Sequence, residues 1–327
     1  MIGQHRRRFL HLAAAAAASP LLSRGAVGLD YPLRPVRVIV PFAPGGITDV
    51  VARLVAAALS EEVGKQFYVE NIVGGSGNVG MGQAARAAPD GYTMLTAFSS
   101  IVINPALFSR VPYDPVKDFD PVSLAVTSAS VLVVNPALPV SSVKELVALI
   151  RASPGTYTYA SAGTGTTSHL AGEQFRLSQG LDLVHVPFTG GAPAMASVVA
   201  GHTAIGLGSM ASVVPLMGDK TLRVLAVTSK VRSQALPGVA TMAEAGYPNI
   251  EGDNFVGFVV PARTPPDIVG LLNGAIARAM MAREMKERQL TLGNEPVGST
   301  AEVFGSRIKA ELVLWSKVIR AAGIRAG

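Results

Sequence analysis

The feature that most constrains this 327-residue chain is an alternation repeated along nearly its whole length: short β-rich runs, each followed by a stretch of helical character. Alternation of that kind favours parallel strands whose faces are covered by helices. The strand candidates are VRVIVP (36–41), FYVEN (67–71), TMLTAF (93–98), VLVVN (131–135), YTYASA (157–162), LVHVPF (183–188), AIGLGS (204–209), LRVLAVT (222–228) and FVGFVVP (255–261). Helices are predicted at 48–63, 78–88, 142–152, 167–179, 191–201, 209–217, 265–291 and 300–322. Nine strands exceed what one ordinary doubly wound sheet carries, so the expected fold is α/β with two lobes, each a mainly parallel sheet flanked by helices. We read one lobe as 29–125 plus 251–327 and the other as 126–250, with crossings near LAVTSAS (124–130) and PNIEGDN (248–254). Two crossings make a hinge, and the cleft beside a hinge is the natural ligand site. A single larger sheet is the alternative.

The first 28 residues stand apart from this pattern. Three arginines precede an alanine and leucine stretch and a small-residue segment, the layout of an export signal. Arg6, Arg7, Phe9 and Leu10 also fit a twin-arginine pattern, which leaves the export route open. Removing residues 1–28 takes away four arginines and no acid, so the formal charge falls from +6 to +2. The remaining Lys and Arg are widely spread, which argues against nucleic acid as a partner. The absence of cysteine excludes disulfides, thiolate metal sites and cysteine nucleophiles. Beyond the signal, His169, His185 and His202 lack the spacing of a helical metal pair, and no metal or cofactor is expected. No run is long enough to cross a bilayer as a helix.

Three turns share one grammar of strand, small residues, then helix: PFAPGGITD (41–49), SAGTGTTSHLAGE (161–173) and PFTGGAPAM (187–195). Glycine bares the backbone where the first N–H groups of a helix lack intrahelical partners, an arrangement suited to an anion. Thr48 or Asp49 can equally be read as a cap for the helix that follows. In the two-lobe partition the first turn faces the other two across the cleft, and a small carboxylate would suit the space between them. None of the three carries Lys or Arg, so neutral donors and dipoles would do the holding. A fourth turn, GGSGNVG (74–80), has a formal GxGxxG, but the acid expected about 20 residues on is missing, and it reads as a structural loop.

Catalytic patterns are poor. GxSxG, HExxH and spaced carboxylate pairs are all missing. Ser168 and His169 invite a hydrolase reading, but helix neighbours point about 100° apart and are not a catalytic pair by adjacency.

The longer motifs carry a resemblance. YPLRPVRVIVPFAPGGITDVVAR (31–53), ENIVGGSGNVGMGQAARAAPDGYTML (70–95), INPALF (103–108), SAGTGTTSHLAGEQF (161–175), HVPFTGGAPAM (185–195), LAVTS (225–229) and VVPARTPPDIV (259–269) resemble a Bug-type substrate-binding receptor of the tripartite tricarboxylate transporter family. The resemblance implies a periplasmic, two-lobed (type II, Venus flytrap) receptor. It would bind a small carboxylate, whether a dicarboxylate, an aromatic or a related organic acid, and pass it to membrane transport subunits without catalysis. By similarity, ligand contacts fall on Phe42, Pro44, Gly45, Gly46, Thr48 and Asp49, and on Gly163, Gly165, Thr166, Thr167 and Ser168. Ser99, Ser100, Thr189 and Gly190 are expected as further contacts, with selectivity also set at 208–210.

Two departures matter. The family often carries an acid in the stretch aligned to GHTAIGLGSM (201–210), where this chain has Ala204 and Gly208, which weakens an amino-acid assignment. A tryptophan often found near 255 is Phe255. A monomer is expected, and a ligand-dependent sensory role beside a sensor kinase is a further alternative, as is a hydrolase using Ser168.

Overall fold

The computed structural model describes residues 30–217 and 221–325, so the expected export signal lies outside the described residues. Within the unit Pro32–Gly327, one hydrogen-bonded sheet runs in the order β2-β1-β3-β9-β4-β7-β5-β6. Its strands are β1 (Val36–Val40), β2 (Phe67–Asn71), β3 (Thr93–Phe98), β4 (Phe119–Val134), β5 (Thr158–Ser161), β6 (Val184–Pro187), β7 (Ile205–Ser209), β8 (Arg223–Val227), β9 (Asp253–Pro261) and β10 (Glu295–Pro296). The helices are α1 (Ile47–Val63), α2 (Asn78–Ala85), α3 (Ser100–Leu107), α4 (Val143–Ala152), α5 (Thr167–Gln179), α6 (Gly191–Val199), α7 (Met210–Val213), α8 (Pro266–Met281), α9 (Arg283–Thr291) and α10 (Ala301–Ala322).

The outer strands are parallel, as the alternation predicts: β1 pairs with β2 and β3, and β5 with β6 and β7. The centre differs. Segment 124–130, expected as a connector, is strand throughout and belongs to β4, a 16-residue strand that is almost wholly buried. The first part of β4 pairs antiparallel with β9 and β10, and its last residues pair antiparallel with β7 and β8. Buried on both faces, this strand lacks the alternation of a half-exposed one, so its early part is hard to see in sequence.

Two more elements escaped the sequence reading. Helix α3 carries Pro105, which signals a break although the helix has only a few residues left to run. The stretch 265–291 is two helices, because Ala282 has extended backbone (ψ 137) between them.

Helix α10 buries Phe304, Ile308, Trp315, Val318 and Ile319, which recur at helical spacing on one face. Phe304 meets Phe255 edge-on at 5.5 Å and covers Gly257, where a Cβ would lie 2.4 Å from the Phe304 ring. Full burial of such a ring contributes about 3 kcal/mol. That packing also fixes α3, which shares its core cluster with α10 through Ile101, Val102, Ile103 and Leu107.

This topology brings helix starts together. Helices α1, α3, α5, α6 and α7 each follow directly on the C-terminal end of a strand, β1, β3, β5, β6 and β7 respectively. In α/β sheets such ends gather around the ligand crevice.

Candidate functional site

The first residues of those five helices line one cavity of about 370 Å³: Ile47, Ser100, Thr167, Gly191 and, one residue into the short α7, Ala211. Of the residues expected as contacts, Phe42, Ser99, Ser100, Gly165, Thr166, Thr167 and Ser168 face it. Pro44, Gly45, Gly46, Thr48, Asp49, Gly163, Thr189, Gly190 and Gly208 are not among the lining residues. The fold thus joins parts of the PFAPGGITD and AGTGTTSH turns across a shared space, but of the contacts expected in the first turn only Phe42 lines it.

The first turn contributes Phe42 and Ile47, while Pro44, Gly45 and Gly46 are exposed. Gly46 is the N-cap of α1 and makes no side-chain cap bond. Asp49 closes the turn from within. Its carboxylate accepts from the Gly45 N–H at 3.0 Å, from Arg53 Nε at 3.0 Å and from Asn71 Nδ2 at 2.8 Å. Burial pushes this carboxyl up, but the bonds from Arg53, Gly45 and Asn71 outweigh it and hold it down to about 2. The acid therefore organises the loop, and Asn71 extends the clamp to the Phe42 carbonyl at 3.0 Å.

The second turn is built from neutral groups. Thr166 caps α5, its hydroxyl accepting from the His169 N–H at 3.3 Å and donating to the Gly163 carbonyl at 2.7 Å. Ser168 Oγ accepts from the Ala162 N–H at 3.2 Å and lies 3.0 Å from Thr166 Oγ1. Thr167 donates to Asn254 Oδ1, linking this turn to the start of β9. With the His169 amide taken by the cap, the orphan N–H groups of Thr167 and Ser168 remain for a bound anion.

Beneath the turn lie two stacked imidazoles, His169 and His185, with ring centroids 3.8 Å apart. His169 Nδ1 accepts from the Gly165 N–H at 3.0 Å, so that nitrogen carries no proton and the ring is neutral. Burial holds the His169 pKa below its ordinary value, against the pull of Glu173. Burial, then the adjacent His169, bring His185 down to about 4. Its Nε2 is 2.6 Å from Ser161 Oγ, at the other end of the same turn. Glu173, buried below, accepts from Tyr159 Oη at 2.8 Å and pairs with Arg176 at 2.6 Å. The hydrolase alternative fails on this geometry: Ser168 Oγ and His169 Nδ1 are engaged by backbone amides of the turn and not by each other.

Several lining residues were not expected. Ser76, Phe98, Ile103, Asn104 and Leu107 come from the GGSGNVG turn, the end of β3 and α3. Asn104 Nδ2 donates to the Ser76 carbonyl at 3.0 Å and to Asn78 Oδ1 at 2.8 Å, tying that glycine turn to α3. GGSGNVG is thus a structural loop that also borders the cavity. Leu107 packs against Gly165 so closely that a Cβ there would lie 2.3 Å from its Cδ2. From the other side come Ser128, Ala162, Thr164 and Asn254, together with Ser209 of the stretch 208–210 that was expected to set selectivity. At Gly208 a Cβ would meet Met195 Sδ and Ser212 Oγ, each at 2.9 Å, so those groups occupy the space that a side chain at this position would need.

The model of the tripartite tricarboxylate transporter family receptor matches residues 51–324. Protein BugT of Bordetella pertussis is 34% identical over 318 residues, 97% of this chain and 96% of its own length. A solved periplasmic transporter superposes with a TM-score of 0.76 at 38% identity, covering 90% of this chain and 99% of that one. R. palustris Rpa4515, solved with adipate, superposes with a TM-score of 0.77 at 34% identity over the same shares of the two chains. With a family model over most of its length and likenesses spanning nine-tenths of it or more, this chain belongs to the tripartite tricarboxylate transporter receptor family, two-lobed solute receptors that bind without catalysing.

Proposed function

We propose that this chain is an exported periplasmic receptor that holds one small carboxylate in the cavity bordered by Phe42 and Ile47 on one side and Gly165–Ser168 on the other. The observation that carries the reading is the pair of uncommitted amides at Thr167 and Ser168, set at a helix start on a cavity shared with four other helix starts. The adipate bound to the R. palustris relative supports a carboxylate as cargo. The two lobes are 29–125 plus 251–327 and 126–250. The division of β4 pairing, with β9 and β10 up to Ala129 and with β7 and β8 from Ser130, supports a crossing between lobes within 124–130. The receptor acts as a monomer that delivers its ligand to membrane transport subunits, with presentation to a sensor kinase as the second reading.

Titration calorimetry of the purified chain against aliphatic and aromatic carboxylates tests this. Saturable one-to-one binding, weakened in Thr167→Pro, is the expected result. Silence across the panel sinks the receptor reading.

A further inference from the structure

The twenty described residues that line the cavity include no Asp, Glu, Lys, Arg or His. A carboxylate entering such a space meets only neutral donors, and these suffice for one charge: two amides at the start of α5, with hydroxyls and the Asn254 amide around them. A second carboxylate would need a second set. The opposite wall supplies only scattered hydroxyls, because Phe42, Phe98, Ile103 and Leu107 dominate there.

The polar side chains on that wall are the Asn104 amide and the hydroxyls of Ser76, Ser99 and Ser100. Asn104 spends its Nδ2 on Ser76 and Asn78, while Ser99 Oγ accepts from the Phe255 N–H at 3.0 Å and keeps one O–H to donate. Ser100 Oγ is buried without a partner, one hydroxyl that suits a neutral oxygen or shares the first carboxylate. Burying a second anion against apolar rings without a cation carries a penalty of several kcal/mol. An ammonium fares no better, since no acid faces the cavity and the space at Gly208 is filled by Met195 and Ser212.

The apolar wall is also closely packed. Phe42 stands edge-on to Phe98 at 5.8 Å and 81°, and it is backed by Gly77, where a Cβ would lie 3.1 Å from the Phe42 ring. A flat or branched hydrocarbon body can stack there at little cost in side-chain ordering.

We propose that this receptor selects carboxylic acids with a single negative charge and an apolar, ring-sized body, in preference to dicarboxylates and amino acids. The proposal rests on the carboxylate-receptor reading and fixes its substrate class. Phe42 and the apolar face of α3 set the specificity, and the helix start at Thr167 holds the charge.

Calorimetry of the full chain with phenylacetate, adipate and phenylalanine tests it. Phenylacetate should bind at least about tenfold tighter than either competitor, and Phe42→Ala should weaken phenylacetate by about tenfold while changing adipate far less. A second variant, Ile47→Lys, places a cation at the cavity and should raise adipate affinity relative to phenylacetate, with circular dichroism verifying the fold of both variants. Adipate binding as tightly as phenylacetate, or Ile47→Lys leaving their ratio unmoved, overturns the substrate class while leaving the receptor reading standing. No binding by any of the three, nor by a wider set of carboxylates, overturns both.

Discussion

The turns 41–49 and 161–169 have the same sequence grammar and border the same cavity, yet they are held by opposite chemistry. In the first, an ionised Asp49 gathers Gly45, Arg53 and Asn71, and the exposed glycines stay out of the cavity while Phe42 and Ile47 enter it. In the second, the hydroxyls of Thr166 and Ser168 and a neutral His169 shape the turn, and Gly165, Thr166, Thr167 and Ser168 line the cavity. A charged clamp would compete with an anionic ligand if it sat beside it. The separation teaches that one turn supplies a hydrophobic wall on a charged anchor, whereas the other supplies the anion site on a neutral one.

The sharpest contrast is at the positive-φ glycines. Gly165 (φ 78) is crowded by Leu107, and Gly45 (φ 87) has nothing within 4 Å of its Cβ position. Gly165→Ala should therefore lower stability by about 2–4 kcal/mol, from strain and overpacking together, with a parallel loss of ligand affinity. Gly45→Ala should cost only the strain, about 1–2 kcal/mol, and leave affinity nearly unchanged. Urea unfolding and calorimetry on both variants decide this, and equal losses of affinity would break the distinction.

Acid should separate the two turns as well. A folded pKa held down means stability that is complete above the ordinary value and lost as pH falls through the lowered one. For His185 that window runs from 6.5 down to about 4, with the buried His169 lowered alongside it and Glu173 and Arg176 packed beneath them. For Asp49 it runs from 3.8 down to about 2. On acidification the second turn should loosen first. Stability in urea unfolding should fall between pH 6.5 and about 4, and His169→Phe should flatten part of that decline. Imidazole resonances followed by NMR check it, and either ring titrating above its ordinary value would break the assignment. Asp49→Asn, by removing the charged acceptor, should lower stability by about 1–3 kcal/mol at neutral pH.

The smallest expected effects are at the caps. Thr166→Ala removes the side-chain cap of α5 and should cost about 1 kcal/mol, whereas Gly46→Ser at α1 should change stability by a few tenths. Thermal unfolding of the pair measures the difference, and a large change at Gly46 would mean that its turn is held less firmly by Asp49 than the hydrogen bonds imply.

Much of the second turn was legible because hydroxyls after glycine announce a helix start whose amides are unspent. Thr166, Thr167 and Ser168 could be marked from sequence for that reason. The first turn misled in its details: PGG promises bare backbone, but the bond from Gly45 to Asp49 turns that backbone inward on the loop's own acid. Leu107 and Asn104 were hidden behind Pro105, which disguises a short helix as a break. Ser76 sat in a glycine pattern whose spacing imitates a dinucleotide loop.

What the sequence determined by itself was the alternation of strand and helix, the glycine turns between them and the family likeness, because each is a local pattern of residue types a few positions apart. Tertiary structure alone decided which turn atoms face the cavity and which face their own loop. That choice depends on contacts between distant residues, Leu107 with Gly165, Asn71 with Asp49 and Thr167 with Asn254, and on a long central strand whose two ends pair with different partners.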